Sequence, residues 1–192
     1  MGAGGLSDLH EARARLRAAL RRATFAHSLA VSEEAGRWAP TFDADPQAAR
    51  WAGLLHDCAK GLRPAEYLAE AAVAGLEIFG AERASPSVLH QRVGAVWAAE
   101  RFGVHDLSVQ AAIRCHTTGA GDMDGLARCL FVVDWVSPDR DYEGVETLRA
   151  ALAQGPDVGF TAVLRAKRDG ALAKGLPEHP WARAAADRWL AP

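Results

Sequence analysis

The sequence predicts an all-α protein, and three observations carry that reading. Apolar residues recur at spacings of three and four between breaks. Ala and Leu, both strong helix formers, fill the segments between them. Clusters of β-branched residues and alternating strand patterns are scarce. The breaks fall at Pro40 with Asp43 to Pro46, Gly61 to Pro64, Gly80 to Pro86, Gly103, Gly119 to Gly125, Pro138, Gly155-Pro156 and Gly175 to Pro177, and they leave eight to ten helices.

Taken in order, the N-terminal segment opens on small and polar residues and then carries Arg13, Arg15, Arg17, Arg21 and Arg22. It lacks the apolar run of a signal peptide. The stretch before Pro40 sets His27, Ala30, Val31, Ala35 and Trp38 on one helical face. After Pro46, Trp51, Leu54, Leu55 and Cys58 follow helical spacing, and the doublet His56-Asp57 lies beside that stripe. His90 is followed by Val93, Gly94 and Trp97; His116 is preceded by Val109, Ala112 and Ile113; Asp134 is preceded by Ala127, Leu130 and Phe131. Helical segments continue beyond Pro138, and Pro180-Trp181 to Trp189 reads as a short amphipathic final helix. The 192 residues suffice for one sizeable core. We expect a single domain, 1–192, with a core at about 20–137 and additional C-terminal helices over 142–192.

Charge narrows the function classes. Acidic residues number 24 against 22 basic ones, a balance that gives no general attraction to nucleic acid or to anionic membranes. Phosphate binding must therefore come from a local site. No 18-residue apolar stretch is present to span a membrane. Cys58, Cys115 and Cys129 form no Cys-x-x-Cys pair, which suits a reducing, cytoplasmic setting, and Cys58 and Cys115, though each adjoins a candidate metal-binding segment, read as small buried hydrophobes.

Five segments thus point His or Asp toward the side that their apolar neighbours bury, because residues three or four apart share a helical face. A lone histidine in that position is ordinarily a core residue bonded to a backbone carbonyl. A buried aspartate is harder to accommodate, since ionised carboxylates are rarely buried unpaired. If His27, His56, Asp57, His90, His116 and Asp134 converge, a cationic centre stabilises both carboxylates and selects neutral imidazoles. Six ligands exceed one structural zinc site and suit two ions sharing a carboxylate, roughly 3.5–4 Å apart. The absence of thiolate ligands favours iron, manganese or cobalt. His10, His105 and His179 lack such a setting and read as surface residues.

Candidates for phosphate contact follow from position. Lys60 comes three residues after Asp57, on the same face; its alternative role is a cation at a helix C-terminus. Thr117-Thr118-Gly119 follows His116 and offers two hydroxyls and a flexible backbone, or else a helix C-cap with a left-handed glycine. Arg140 lies just beyond Pro138, placed to grip a phosphate or to sit solvated in a loop. Trp135 or Tyr142 could stack a nucleobase, or serve in core or surface packing, the commoner role of each.

These residues together resemble the HD-domain metal phosphohydrolases. The family order of a His, a His-Asp doublet and a distant Asp is met by His27, His56-Asp57 and Asp134. The segments Leu55-His-Asp-Cys-Ala-Lys60, His90-Gln-Arg-Val-Gly-Ala95, Ala112-Ile-Arg-Cys-His-Thr-Thr-Gly119 and Val133-Asp-Trp-Val-Ser-Pro-Asp-Arg140 are similar to the YqeK-like branch, the symmetrical bis(5′-nucleosyl)-tetraphosphatases. The resemblance covers roughly residues 20 to 155. It implies an all-helical HD-domain bundle, an iron-containing dinuclear centre and cleavage of diadenosine tetraphosphate into two ADP. By position it gives the metal-ligand roles to His27, His56, Asp57, His90, His116 and Asp134, a catalytic part to Asp57 and Lys60, and substrate contacts to Lys60, Thr117, Thr118 and Arg140. The chain departs from the branch at Thr24, where an Arg is common, at Gln91-Arg92 after His90, and at Ser137-Pro-Asp-Arg140. Two other expectations stand beside it: an HD enzyme acting on another nucleotide, and a non-catalytic nucleotide-binding regulator. The partners expected are a dinucleoside polyphosphate or another nucleotide and a second copy in a homodimer, with no nucleic acid and no membrane.

Overall fold

The computed structural model describes residues 8–190. The first residues of the N-terminal segment and the two ends of the 1–192 domain assignment lie outside the described residues. Among those described there are eleven α-helices and no strand: α1 (Leu9–Ala19), α2 (Arg22–Trp38), α3 (Pro46–Leu55), α4 (Pro64–Val73), α5 (Gly80–Ala84), α6 (His90–Glu100), α7 (Leu107–Cys115), α8 (Gly125–Val136), α9 (Val145–Gln154), α10 (Pro156–Ala173) and α11 (Pro180–Trp189). Two 3-10 turns, Ala39–Phe42 and Pro86–Leu89, precede α3 and α6.

The count exceeds the expected eight to ten for two local reasons. The break between α1 and α2 is made by Leu20 and Arg21 in extended conformation, with no glycine or proline to announce it. The break read at Gly80 to Pro86 itself contains α5. Elsewhere the boundaries follow ordinary capping chemistry. Asp45, Asp106 and Asp124 each accept a hydrogen bond from a first-turn backbone N–H of α3, α7 and α8, and Pro46 sits in the first turn of α3, where its missing N–H costs nothing. These three helices, together with α2 and α6, carry the polar centre.

Leu54 and Leu55 on α3, Ile113 on α7 and Leu130 and Phe131 on α8 are fully buried in the main core. Each contributes on the order of 1.5–3 kcal/mol by leaving water. A smaller cluster of Ala59, Tyr67, Ala71, Leu89 and Val93 packs α4 against the start of α6. The side chains of α10 and α11 join the main core through Phe160, Val163, Leu164 and Ala185. Phe131 and Phe160 meet edge to face at 5.6 Å, which fixes α10 against α8.

His179 corrects the sequence reading. It is buried, not superficial, with its ring packed between Phe79 and Trp181 and Nε2 3.4 Å from Glu82. Glu82 is also paired with Arg92 at 2.8 Å, so a buried ionic cluster links α5, α6 and the start of α11. His10 and His105 are exposed.

Candidate metal centre

The six polar residues meet at one place. His27 projects from α2 and Asp134 from α8, while His90 opens α6. His56 and His116 are not within helices but cap the C-termini of α3 and α7. The doublet His56-Asp57 therefore lies in the turn after α3, where helical backbone ends and its carbonyls need donors. His56 meets that need: its Nδ1 bonds the carbonyl of Gly53 at 2.8 Å. His116 does the same to Ile113 at 2.8 Å, and His90 to Ser87 at 2.6 Å.

This repeated bond settles the tautomers. A carbonyl oxygen only accepts, so Nδ1 of each ring carries the hydrogen and Nε2 presents its lone pair when the ring is neutral. His27 reaches the same state differently, its Nδ1 donating to Asp139 at 2.8 Å, while Ser137 donates to the other oxygen of Asp139 at 2.7 Å. All four Nε2 atoms then face two carboxylates. His56 lies 3.3 Å from Asp57 Oδ2, while His90 and His116 lie 3.4 and 3.8 Å from Asp57 Oδ1. His27 and His56 lie 3.0 and 3.7 Å from Asp134 Oδ1. Two groups with metal-ligand spacing result, His27–His56–Asp57 and Asp57–His90–His116, and Asp57 belongs to both.

The arrangement fits a cation and is poorly satisfied without one. Nε2 of His90 and Nε2 of His116 stand 3.1 Å apart, lone pair toward lone pair. His56 Nε2 and Asp57 Oδ1 are buried with no hydrogen-bond partner, a rare condition in a native interior. Burial, reinforced by the neighbouring His56 and His90, holds the His116 pKa well below the ordinary histidine range, and burial lowers that of His90 against the pull of Asp57. Burial works against charge on Asp57 and Asp134 too. It is outweighed at Asp57 by His56, His90 and Lys60, and at Asp134 by His27, Lys167, His56 and Arg140, so both carboxyls stay well below the usual carboxylate range. At neutral pH His90 and His116 therefore offer neutral imidazole nitrogens beside ionised oxygens, the states that ligation requires, whereas Asp57 and Asp134 outweigh burial at His56 and raise its pKa. The three cysteines take no part. All are buried and free, burial pushes their thiols up to about 12, and Cys58 donates to the Gly94 carbonyl.

The candidate phosphate contacts divide. Lys60 reaches Asp57 Oδ2 at 2.8 Å and remains partly exposed at the mouth of the centre. Arg140 is not a solvated loop residue; it folds back, with Nη2 2.6 Å from Asp134 Oδ1 and Nε 2.7 Å from the Asp134 carbonyl. Both line a polar cleft of about 370 Å³ with His27, Asp57, Thr24 and Tyr142. The Thr117-Thr118 backbone is less available than the sequence reading held. Both N–H groups donate to the buried Gln91 carboxamide, at 2.9 and 3.2 Å, and Gly119 (φ 72°) closes α7 in the left-handed conformation. The hydroxyls are engaged too: Thr117 Oγ1 is 3.2 Å from His90 Nε2, and Thr118 Oγ1 accepts from the Gln91 carboxamide at 3.0 Å and donates to the Gly119 carbonyl. Trp135 and Tyr142 meet edge to face at 5.7 Å.

Lys167, Asp139 and Gln91 belong to the site and were not among the residues picked from the sequence. Lys167, on α10, donates to the His116 carbonyl at 2.7 Å, lies 3.6 Å from Asp134 Oδ2 and sits 3.9 Å from the centre of the Phe131 ring. Burial lowers its pKa to about 8. Nothing in its helix marks it, because Arg165, Arg168 and Asp169 around it read as a solvated face. Asp139 sits in what reads as a turn, and its partner His27 is 112 positions away. Partners that orient a ligating imidazole set metal affinity almost as strongly as the ligand does. Asp139→Ala is expected to weaken Mn²⁺ binding by about 10–100-fold with the fold retained, measured by calorimetric titration of the metal-free protein; unchanged affinity would remove Asp139 from the account.

An all-helical bundle with a His, a His-Asp doublet and a distal Asp around one buried point defines a class. The HD domain pattern matches residues 24–139, and the chain belongs to the HD-domain family. It is 34% identical over 129 residues to the symmetrical bis(5′-nucleosyl)-tetraphosphatase of Halalkalibacterium halodurans, covering 65% of this chain and 66% of that one. It is 32% identical over 127 residues to the enzyme of the same name from Bacillus subtilis, covering 65% and 67%. The chain thus spans about two thirds of the length of the curated relatives it matches. Among solved structures it superimposes with a TM-score of 0.91 and 27% identity on a "predicted HD superfamily hydrolase involved in NAD metabolism" from Clostridium acetobutylicum, over 97% of this chain and 98% of that one.

Proposed function

We propose that the chain is a metal-dependent phosphohydrolase that splits diadenosine tetraphosphate at its central bridge into two ADP. The observation that carries the reading is the centre itself: four histidine Nε2 atoms and two ionised carboxylates converging on a buried point, with Asp57 common to both groups. The ligand roles go to His27, His56, Asp57, His90, His116 and Asp134. An all nitrogen and oxygen donor set suits iron, with manganese or cobalt as substitutes, and two ions match the two groups. When bound, such ions supply Lewis acidity and lower the pKa of water.

Charge fits a polyphosphate. Asp57, Asp134 and Asp139 are balanced by Lys60, Arg140 and Lys167, so any divalent cation leaves the centre net positive and attractive to a polyanion. Lys60 and Arg140 stand at the polar cleft, where each can donate to phosphoryl oxygens as negative charge builds on them. In the overall reaction one water adds across the central P–O–P bridge. Its oxygen joins one phosphorus, the bridging oxygen leaves with the other half, and one ADP forms on each side. The departing group is a stabilised phosphate, so no dedicated general acid is required.

A second reading, hydrolysis of a pyridine nucleotide or a related molecule, is favoured by the Clostridium acetobutylicum neighbour alone. A soluble enzyme of the reducing cytoplasm accords with three free cysteines. Among the described residues, no helix is long and apolar enough to cross a membrane. Chromatography of products from the Fe²⁺-, Mn²⁺- or Co²⁺-loaded protein tests the reading. ADP as the sole nucleotide product supports it. ATP with AMP, or turnover of pyridine nucleotides alone, overturns it.

A further inference from the structure

A second cavity adjoins the centre from the opposite set of ligands. It is an apolar groove of about 230 Å³ between α10 and α11, and it shares no lining residue with the polar cleft. Its walls include Trp135 of α8, Leu164 and Leu172 of α10, Leu176 of the following loop and Ala182 of α11. Its inner end is formed by Thr117, Thr118 and Lys167. That end touches the centre: the Thr117 hydroxyl is 3.2 Å from His90 Nε2, and the Lys167 ammonium is 3.6 Å from Asp134 Oδ2.

We propose that this groove seats one nucleobase of the substrate, with the attached phosphates running past Thr117 and Lys167 onto the His/Asp centre. The proposal rests on the nucleotide reading above and deepens it. Three features fix the occupant. The groove surface is mostly apolar, with Arg168, Lys174 and Glu178 also along it, and Lys167 supplies a cation where it meets the centre, the polarity of a nucleotide read from base to phosphate. Trp135 is half-buried in its wall, an aromatic ring of the kind on which planar bases stack. Leu172 and Leu176 remain 52% and 39% exposed at the mouth, apolar surface that a flat ring covers.

The placement also gives a reason for symmetric cleavage. The groove reaches the centre through Thr117, beside His90, and Lys167, beside Asp134, while the polar cleft is lined by His27 and Asp57 themselves. A dinucleotide with one base in the groove and its far half along the Lys60–Arg140 cleft sets its central bridge at the metal centre. Distance from the base then selects the bond.

The test is ADP binding to the Mn²⁺-loaded full chain, by calorimetry, with inorganic pyrophosphate as the probe that lacks a base. Ala182→Trp fills the groove, and Leu172→Glu places an acid at its exposed mouth without touching the core. Both are expected to weaken ADP binding by about tenfold or more while pyrophosphate binding stays within about twofold of wild type. KM for diadenosine tetraphosphate should rise with little change in kcat. Unchanged ADP affinity in both variants overturns the groove assignment, as does a parallel loss of pyrophosphate binding. If ADP binding falls as expected but the wild-type protein leaves diadenosine tetraphosphate intact, the groove stands and the proposed reaction falls.

Discussion

Asp57→Ala protein is expected to lose at least about a thousandfold in turnover, roughly 4 kcal/mol of transition-state stabilisation, and to retain less than one metal ion per chain. Asp57 is the member shared by the two ligand groups: Oδ1 faces His90 and His116, while Oδ2 faces His56 and Lys60. Its removal takes one oxygen from each group. It also leaves Lys60 without its 2.8 Å partner, so the cation that should meet phosphate loses its anchor. Loss of a structural carboxylate alone would lower stability and leave metal content and kcat close to wild type. Elemental analysis of the purified variant, read beside its activity, separates the two. Full metal content with full turnover would remove Asp57 from the chemistry.

Gly53→Val is expected to destabilise the protein by about 3 kcal/mol or more, a fall of roughly 6–12 °C in Tm, and to impair metal binding in whatever folds. A Cβ at Gly53 would stand 2.7 Å from Ser32 Cα and 2.8 Å from Ser32 N and the Val31 carbonyl, all backbone of α2. Backbone cannot swing aside as a side-chain tip can. α2 and α3 must therefore separate, and they bring His27 and the His56-Asp57 turn together. The same glycine supplies the carbonyl that fixes the His56 tautomer. Gly80→Ala serves as control, because a Cβ there meets nothing within 4 Å. Differential scanning calorimetry of both variants decides the point, and a Gly53→Val protein as stable as wild type would contradict the close packing described.

These two residues mark where the sequence is informative and where it is not. Asp57 is legible because a carboxylate beside an apolar helical stripe needs an explanation. The same logic found His27, His90, His116 and Asp134, since burial of polar groups is a local pattern at helical spacing. What local pattern conveys less well is the end of a helix. His56 and His116 read as helical residues, yet each caps a terminus, and the capping bond is what leaves Nε2 free. Groups brought in by tertiary packing leave no mark at all. Lys167 reaches the centre only because Phe131 and Phe160 lock α10 onto α8, and Asp139 only because the turn after α8 passes over α2. Gln91 appeared as a departure from a family pattern; in the fold it holds the Thr117-Thr118 turn by its backbone. His179 reads as exposed because its burial depends on Phe79 and Glu82, which come from a distant segment of the chain.

The central claim is that His27, His56, Asp57, His90, His116 and Asp134 hold two metal ions that share Asp57. Anomalous diffraction from crystals of the protein loaded with Mn²⁺ tests it most directly. Two peaks, one beside His27, His56 and Asp134 and the other beside His90 and His116, with Asp57 between them, are the predicted result. A single peak away from Asp57, or no peak in metal-replete crystals, would contradict the account.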